Sequence, residues 1–267
     1  MTSIVSFGGG VNSTALLIGL RERDEIPDAI LFADTGGEKP ATYEHVERVD
    51  EWCKASGMPP ITRVSYSTSA HDSLESECHA NETLPSKAFG FGGCSQKWKR
   101  YPMDRWVDNY METNRAWECI YTRKGALGAF VPQVIRLIGI HAGETRRGKI
   151  PDDLKFTYRF SLREWNWSQA ECEAACLRIL GYVPDKSECF YCPSMKKREV
   201  IQLSISHPDL FERAVAMERQ AVESGNLMTV KGLGRHWTWE GLVAADERQQ
   251  RLFEDNQAPL CDVCMDS

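Results

Sequence analysis

Three glycines follow one another at Gly8, Gly9 and Gly10, shortly after the apolar pair Ile4–Val5 and just ahead of Asn12, Ser13 and Thr14. Successive glycines let backbone N–H groups point into one concavity, and a helix that starts there adds its positive end. Such a turn binds an anion without any charged side chain, and Ser13 and Thr14 can add hydroxyl donors. The pattern is neither of the two commonest phosphate fingerprints. One needs a lysine that is absent, and Gly-x-Gly-x-x-Gly fails at Ser13. On the glycines alone, a phosphate cradle and a plain tight turn both stand.

A second constellation is Cys189-Phe190-Tyr191-Cys192-Pro193. Thiolates at Cys-x-x-Cys spacing can bind one metal or cluster together. The same spacing lowers a thiol pKa, so a redox dithiol is the rival reading, and two buried structural cysteines are the bland one. A further pair, Cys261 and Cys264, lies near the end of the sequence and is expected to be peripheral. Cys53 fits the apolar stripe of a helix, while Cys78 and Cys119 give no signal.

The basic clusters are Lys97–Arg100, Arg146–Lys149, Lys196–Arg198 and Arg235–Trp237. Cations beside a phosphate cradle would hold a polyanion, and Trp98 and Trp237 could stack on a base. Lys196–Arg198 reads more simply as a solvated helix face. Lys99 and Arg147 are the expected phosphate contacts.

These residues must be positioned by ordinary globular elements. The 267 residues are 42% hydrophobic and 26% charged, with a net charge of −6, which argues against a generally basic nucleic-acid binder. No apolar stretch is long enough to span a membrane and no signal peptide is evident, so a cytoplasmic location is expected. Ten cysteines in a reducing compartment point to ligands, a catalytic thiol or small buried residues rather than disulfides.

Strands are expected at Ser3–Phe7, Ala29–Ala33, Ile61–Tyr66 and Val134–Ile140, with helices at Thr14–Arg23 and Thr42–Ala55 between the first three. This alternation predicts an α/β fold: an open, mainly parallel twisted sheet with helices on both faces and a helical C-terminal part. Ligands of such sheets sit beyond the carboxyl ends of the strands, where the glycine turn lies. Residues 67–93 read as irregular and Trp98–Tyr110 as helical. Ser168 with Glu171 forms a capping box for a helix closed by Gly181, and Leu210, Ala214, Met217 and Ala221 stripe a later one. The expected domains are 1–150, 151–255 and a loose tail, 256–267.

In this context the stretch SFGGGVNSTALL followed by LFADTGGEKPATY resembles the PP-loop family of adenine-nucleotide α-hydrolases. CSQKWKRYP (Cys94–Pro102), IGIHAGETRR (Ile138–Arg147) and KSECFYCPSMKKRE (Lys186–Glu199) narrow the likeness to its phosphoadenosine-phosphosulfate (PAPS) reductase-like branch. The resemblance implies that Ser6, Gly8, Gly9, Gly10, Asn12, Ser13 and Thr14 wrap a nucleotide phosphate. Asp34 would lie near the adenosine, with Gly139 and Glu144 completing the nucleotide site and Asn12, Ser13, Lys99 and Arg147 acting in catalysis. Gly8 and Asn12 replace the family's usual serine and aspartate. An amide does not hold Mg²⁺ as a carboxylate does.

Cys94, in the family-like Cys-Ser-x-x-Trp-Lys stretch, is the first choice to join Cys189 and Cys192 as a ligand. Cys172 is the second, with Cys176 as its replacement. Four thiolates suit a 4Fe–4S cluster or zinc, and iron–sulfur relatives in the family favour iron. The resemblance implies an ATP pyrophosphatase that forms AMP and pyrophosphate and adenylates a nucleic-acid or small-molecule acceptor, with the cluster serving sulfur transfer. The alternatives are a nucleotide-binding accessory protein of a mobile element or type IV CRISPR locus, and a sulfonucleotide reductase. The last lacks its Glu-Cys-Gly-(Leu/Ile)-His tail here. A homodimer is the further expected partner.

Overall fold

The computed structural model describes residues 1–113, 134–145, 150–153 and 155–256, the last six as backbone. Arg147, Cys119, Cys261, Cys264 and the tail beyond 256 lie outside the described residues.

Five strands form one parallel sheet: β1 (Thr2–Phe7), β2 (Ala29–Asp34), β3 (Ile61–Ser65), β4 (Val134–Ile138) and β5 (Phe156–Arg159), in the order β3-β2-β1-β4-β5. Helices α1 (Val11–Glu22) and α2 (Pro40–Ala55) link the first three strands. After α3 (Leu74–Ala80), a π-turn at Gln96–Arg100 leads into α4 (Tyr101–Thr113). The later helices are α5 (Gln169–Leu180), α6 (Lys197–Ser206), α7 (Pro208–Glu223) and α8 (Trp239–Asn256).

The central strands are apolar on both sides because both faces are covered. Val5, Phe7, Ile30 and Phe32 face one core with Leu16, Leu17, Val46, Val49 and Cys53. Their neighbours Ile4, Ala29, Leu31 and Ala33 face the other, beneath Met103, Val107 and Met111 of α4. Arg136 interrupts the apolar run of β4 and is buried, but its guanidinium reaches Asp104 on α4 at 2.6 Å.

The chain divides into two compact units. One comprises Met1–Ser73 and Ser95–Cys189, the other Leu74–Cys94 and the chain from Phe190 onward. The sheet unit continues past residue 150 because β5 pairs with β4 and α5 packs on α1. Residues 67–93 are not wholly irregular as expected. They contain α3 and a 3₁₀ turn at Ser86–Phe89. Seven residues are too few to display a period, and α3 is held by tertiary bonds: Arg213 Nε to Glu75 at 3.0 Å and His79 Nδ1 to Gln220 at 2.7 Å. Sequence reading also missed β5 and α8, and of α6 it saw only the basic face at Lys196–Arg198.

No described helix is long and apolar enough to cross a membrane.

Candidate functional site

The glycine turn lies at the carboxyl end of β1. Gly9 has φ +72°, a region open to glycine but strained for other residues. Gly10 is the N-cap of α1 and has no side chain to cap it. Its carbonyl instead accepts from the Thr14 N–H at 3.1 Å and from the Ser13 and Thr14 hydroxyls at 3.0 Å each. Ser13 Oγ also accepts from the Gly10 N–H at 3.3 Å. Both hydroxyls therefore shape the turn from within. Thr14 is fully buried, so its side chain faces the core, whereas sequence reading offered it as a donor to ligand.

Three other segments close around this turn. Gly139, just past β4, approaches the backbone of Asn12 and Ser13 so closely that a Cβ would meet the Asn12 carbonyl oxygen at 2.7 Å. Ser187 comes against Gly10, its Oγ 2.8 Å from where a Cβ would stand. At the start of α2, Thr42 Cγ2 lies 3.1 Å from where a Cβ on Gly9 would stand, and Glu38, just before that helix, forms an isolated antiparallel bridge with Cys189. Asp34 ends β2, with Oδ1 accepting from the Gly36 N–H and the Tyr43 hydroxyl at 2.8 Å each. Burial and Asp34 together push the Tyr43 phenol well above its ordinary range. Ser6 sits on the central strand opposite Leu31 and Ile138, and Glu144 follows β4 in a turn whose N–H donates to the His141 carbonyl.

Beside the turn lies a polar cluster that sequence reading did not assemble. Thr35 Oγ1 is 3.1 Å from Cys189 Sγ, and that thiol reaches Glu38 Oε1 at 3.9 Å. Lys99, expected to touch phosphate, donates to the same Glu38 oxygen at 2.8 Å. Next to it, buried Glu188 holds Lys186 at 2.8 Å and Lys39 at 3.7 Å. Three buried acceptors here, Asn12 Oδ1, Glu38 Oε2 and Glu188 Oε1, have no hydrogen-bond partner among the described residues, although Lys39 stands 3.7 Å from Glu188 Oε1. A buried acceptor without a donor costs about 1–3 kcal/mol, so each is suited to a donor or cation brought by a ligand. Glu38 and Glu188 did lie in stretches that carried the family resemblance. Nothing local marked them as buried.

Among the described residues, no three His, Cys, Asp or Glu side chains are grouped to hold a metal ion. Cys172 lies within the core that contains Leu16 and Ala175, and burial pushes its thiol up to about 12. Its alternate Cys176 is equally buried, at about 11. Cys189 belongs to the thiol–carboxylate cluster above. Cys94 and Cys192 are half-buried residues of the second unit, and the Cys94 N–H donates to Ser86 Oγ at 2.7 Å.

No protein-family model matches the chain, and no curated protein does. Among solved structures, the U34-tRNA thiolase NcsA from Methanococcus maripaludis with its 4Fe–4S cluster aligns over 97% of this chain and 82% of that one. The identity is 14% and the TM-score 0.37. A likeness at that level carries no weight for the chemistry, which rests on the site itself.

Proposed function

We propose that the chain binds an adenine nucleotide with its phosphates on the Gly8–Ser13 turn and transfers the AMP moiety of ATP to an acceptor with release of pyrophosphate, AMP leaving when a nucleophile, water included, displaces it. The observation that carries this reading is the turn itself: three glycines at the carboxyl end of β1 open a helix of 12 residues whose N-cap bears no side chain. The first N–H groups of α1 are then left for an anion. Lys39, Lys99 and Lys186 stand on buried carboxylates close by and can exchange those partners for phosphate oxygens.

Asn12 Oδ1 is the residue atom that would hold Mg²⁺, together with oxygens of the nucleotide. When bound, that ion would offset charge on the departing pyrophosphate. For the acceptor, the second unit exposes Lys196, Lys197, Arg198, Lys231, Arg235 and His236, and Lys197 Nζ lies 5.7 Å from the Trp237 ring centroid. Cations interleaved with an aromatic ring support a nucleic acid over a small molecule.

A second reading, nucleotide binding without turnover, is favoured by Asn12, whose neutral amide is a weaker Mg²⁺ ligand than a carboxylate. Calorimetric titration with ATP, PAPS and pyrophosphate, with AMP and pyrophosphate assayed on the same samples, separates these cases. ATP binding with AMP release is the expected result. Binding without AMP leaves the second reading, preference for PAPS restores the reductase, and failure of all three ligands to bind overturns the nucleotide site.

A further inference from the structure

A directed chain of hydrogen bonds ends on the glycine turn. Tyr182, just past α5, places its hydroxyl 2.8 Å from Nδ1 of His45 on α2. The opposite ring nitrogen, Nε2, lies 2.8 Å from Thr14 Oγ1, which lies 3.0 Å from the Gly10 carbonyl oxygen. A hydroxyl has one proton. With the Thr14 proton directed at Gly10, Oγ1 becomes the acceptor and Nε2 must carry hydrogen. In a neutral ring Nδ1 is then bare and accepts from Tyr182. All donors run one way, from the half-buried phenol inward to the turn.

The neutral ring is what the surroundings favour. His45 is buried, the Phe7 ring is 6.4 Å from it, and the Arg48 guanidinium stacks over the Tyr182 ring at 5.3 Å. Burial and Arg48 lower His45 to about 4.

We propose that Tyr182, His45 and Thr14 form a positioning relay that holds Gly10, and with it the Gly8–Gly10 turn, in the conformation that receives phosphate. The inference rests on the reading of that turn as a phosphate site. The need for such a device is physical. Consecutive glycines lose more backbone freedom on ordering than any other residues. A turn ordered before binding avoids that cost at the moment of binding. The relay draws on α1, α2 and the segment after α5, so it links the turn to elements that pack around it.

The test uses the full chain with inorganic pyrophosphate as probe, comparing wild type with Thr14→Val, Thr14→Ser and Tyr182→Phe. Affinity is read by calorimetry, and amide hydrogen exchange of the ligand-free protein locates any loosening. Thr14→Val is expected to weaken binding about tenfold, the size of one buried hydrogen bond, and to speed exchange at residues 9–11. Tyr182→Phe should act in the same direction, and Thr14→Ser should restore affinity to within about twofold. Equal affinity in wild type and Thr14→Val overturns the relay, as does a loss accompanied by faster exchange throughout β1 and β4. If wild type binds neither pyrophosphate nor ATP, the phosphate reading itself fails and the relay's purpose with it.

Discussion

Gly139 lies so close to Asn12 that a Cβ would stand 2.7 Å from the Asn12 carbonyl oxygen and 2.8 Å from its carbonyl carbon. Both contacts are to backbone, which cannot swing aside as a flexible side chain would. Gly139→Ala must therefore push the end of β4 away from the first turn of α1. The expected cost is about 2 kcal/mol, as for other overpacked sites, read as a lower urea midpoint. Unchanged stability would show that the two segments separate freely.

Lys99→Met leaves the Glu38 carboxylate buried without the ammonium at 2.8 Å. Removing one partner of a buried pair is far more costly than replacing both. Lys99 is itself 37% exposed, so water takes up part of the loss: the single variant should lose about 1–2 kcal/mol in urea unfolding, and Lys99→Met/Glu38→Gln should recover most of it. Additive losses in the double variant would count against the coupling.

The thiols should differ sharply in reactivity. Burial pushes Cys53 and Cys172 up to about 12 and Cys176 to about 11, whereas Cys94 and Cys192 are half-buried. Only thiolates alkylate readily. Iodoacetamide at pH 8 should modify Cys94 and Cys192 in the native protein, and Cys53, Cys172 and Cys176 only after unfolding. Peptide mass spectrometry reads the order. Early labelling of Cys172 would refute its burial against α1.

Two buried groups drive stability in opposite directions with pH. His45 is lowered from 6.5 to about 4, so the unfolded chain binds more protons between these values. Its contribution is complete above about pH 6.5 and is lost as pH falls towards 4. Glu218 is raised from 4.5 to about 7, chiefly by burial, although its oxygens accept from the Leu233 and Trp239 N–H groups at 2.7 and 2.9 Å. Its contribution is complete below about 4.5 and is lost as pH rises towards 7. Urea unfolding from pH 4 to 8 should show Glu218→Gln with a steeper rise between pH 4.5 and 7 than wild type. Parallel curves would refute the assignment.

Periodicity alone located β1 to β4, α1, α2 and α5, because each is long enough to show its pattern and is bounded by glycine, proline or a capping residue. The Ser168–Glu171 box and the αL glycine at Gly181 both formed as the local chemistry dictates. The glycine turn was legible for the same reason, since its conformation depends on residues adjacent in the chain. Short elements such as α3 and β5 were not legible. They exist because distant partners complete them, as Arg213 does for Glu75.

What only the tertiary structure decided is which side chains face one another. Thr14 looked like a ligand donor, but its hydroxyl turns inward to His45, 31 residues away. Cys172 shares a residue type with Cys189, yet packing with α1 places it in the core while Cys189 meets Thr35 across 154 residues of sequence. Burial, and with it the availability of a thiol or hydroxyl, is set by what packs against a residue from elsewhere in the chain. Local sequence determines how a segment bends. Only the packed fold determines what that bend encloses.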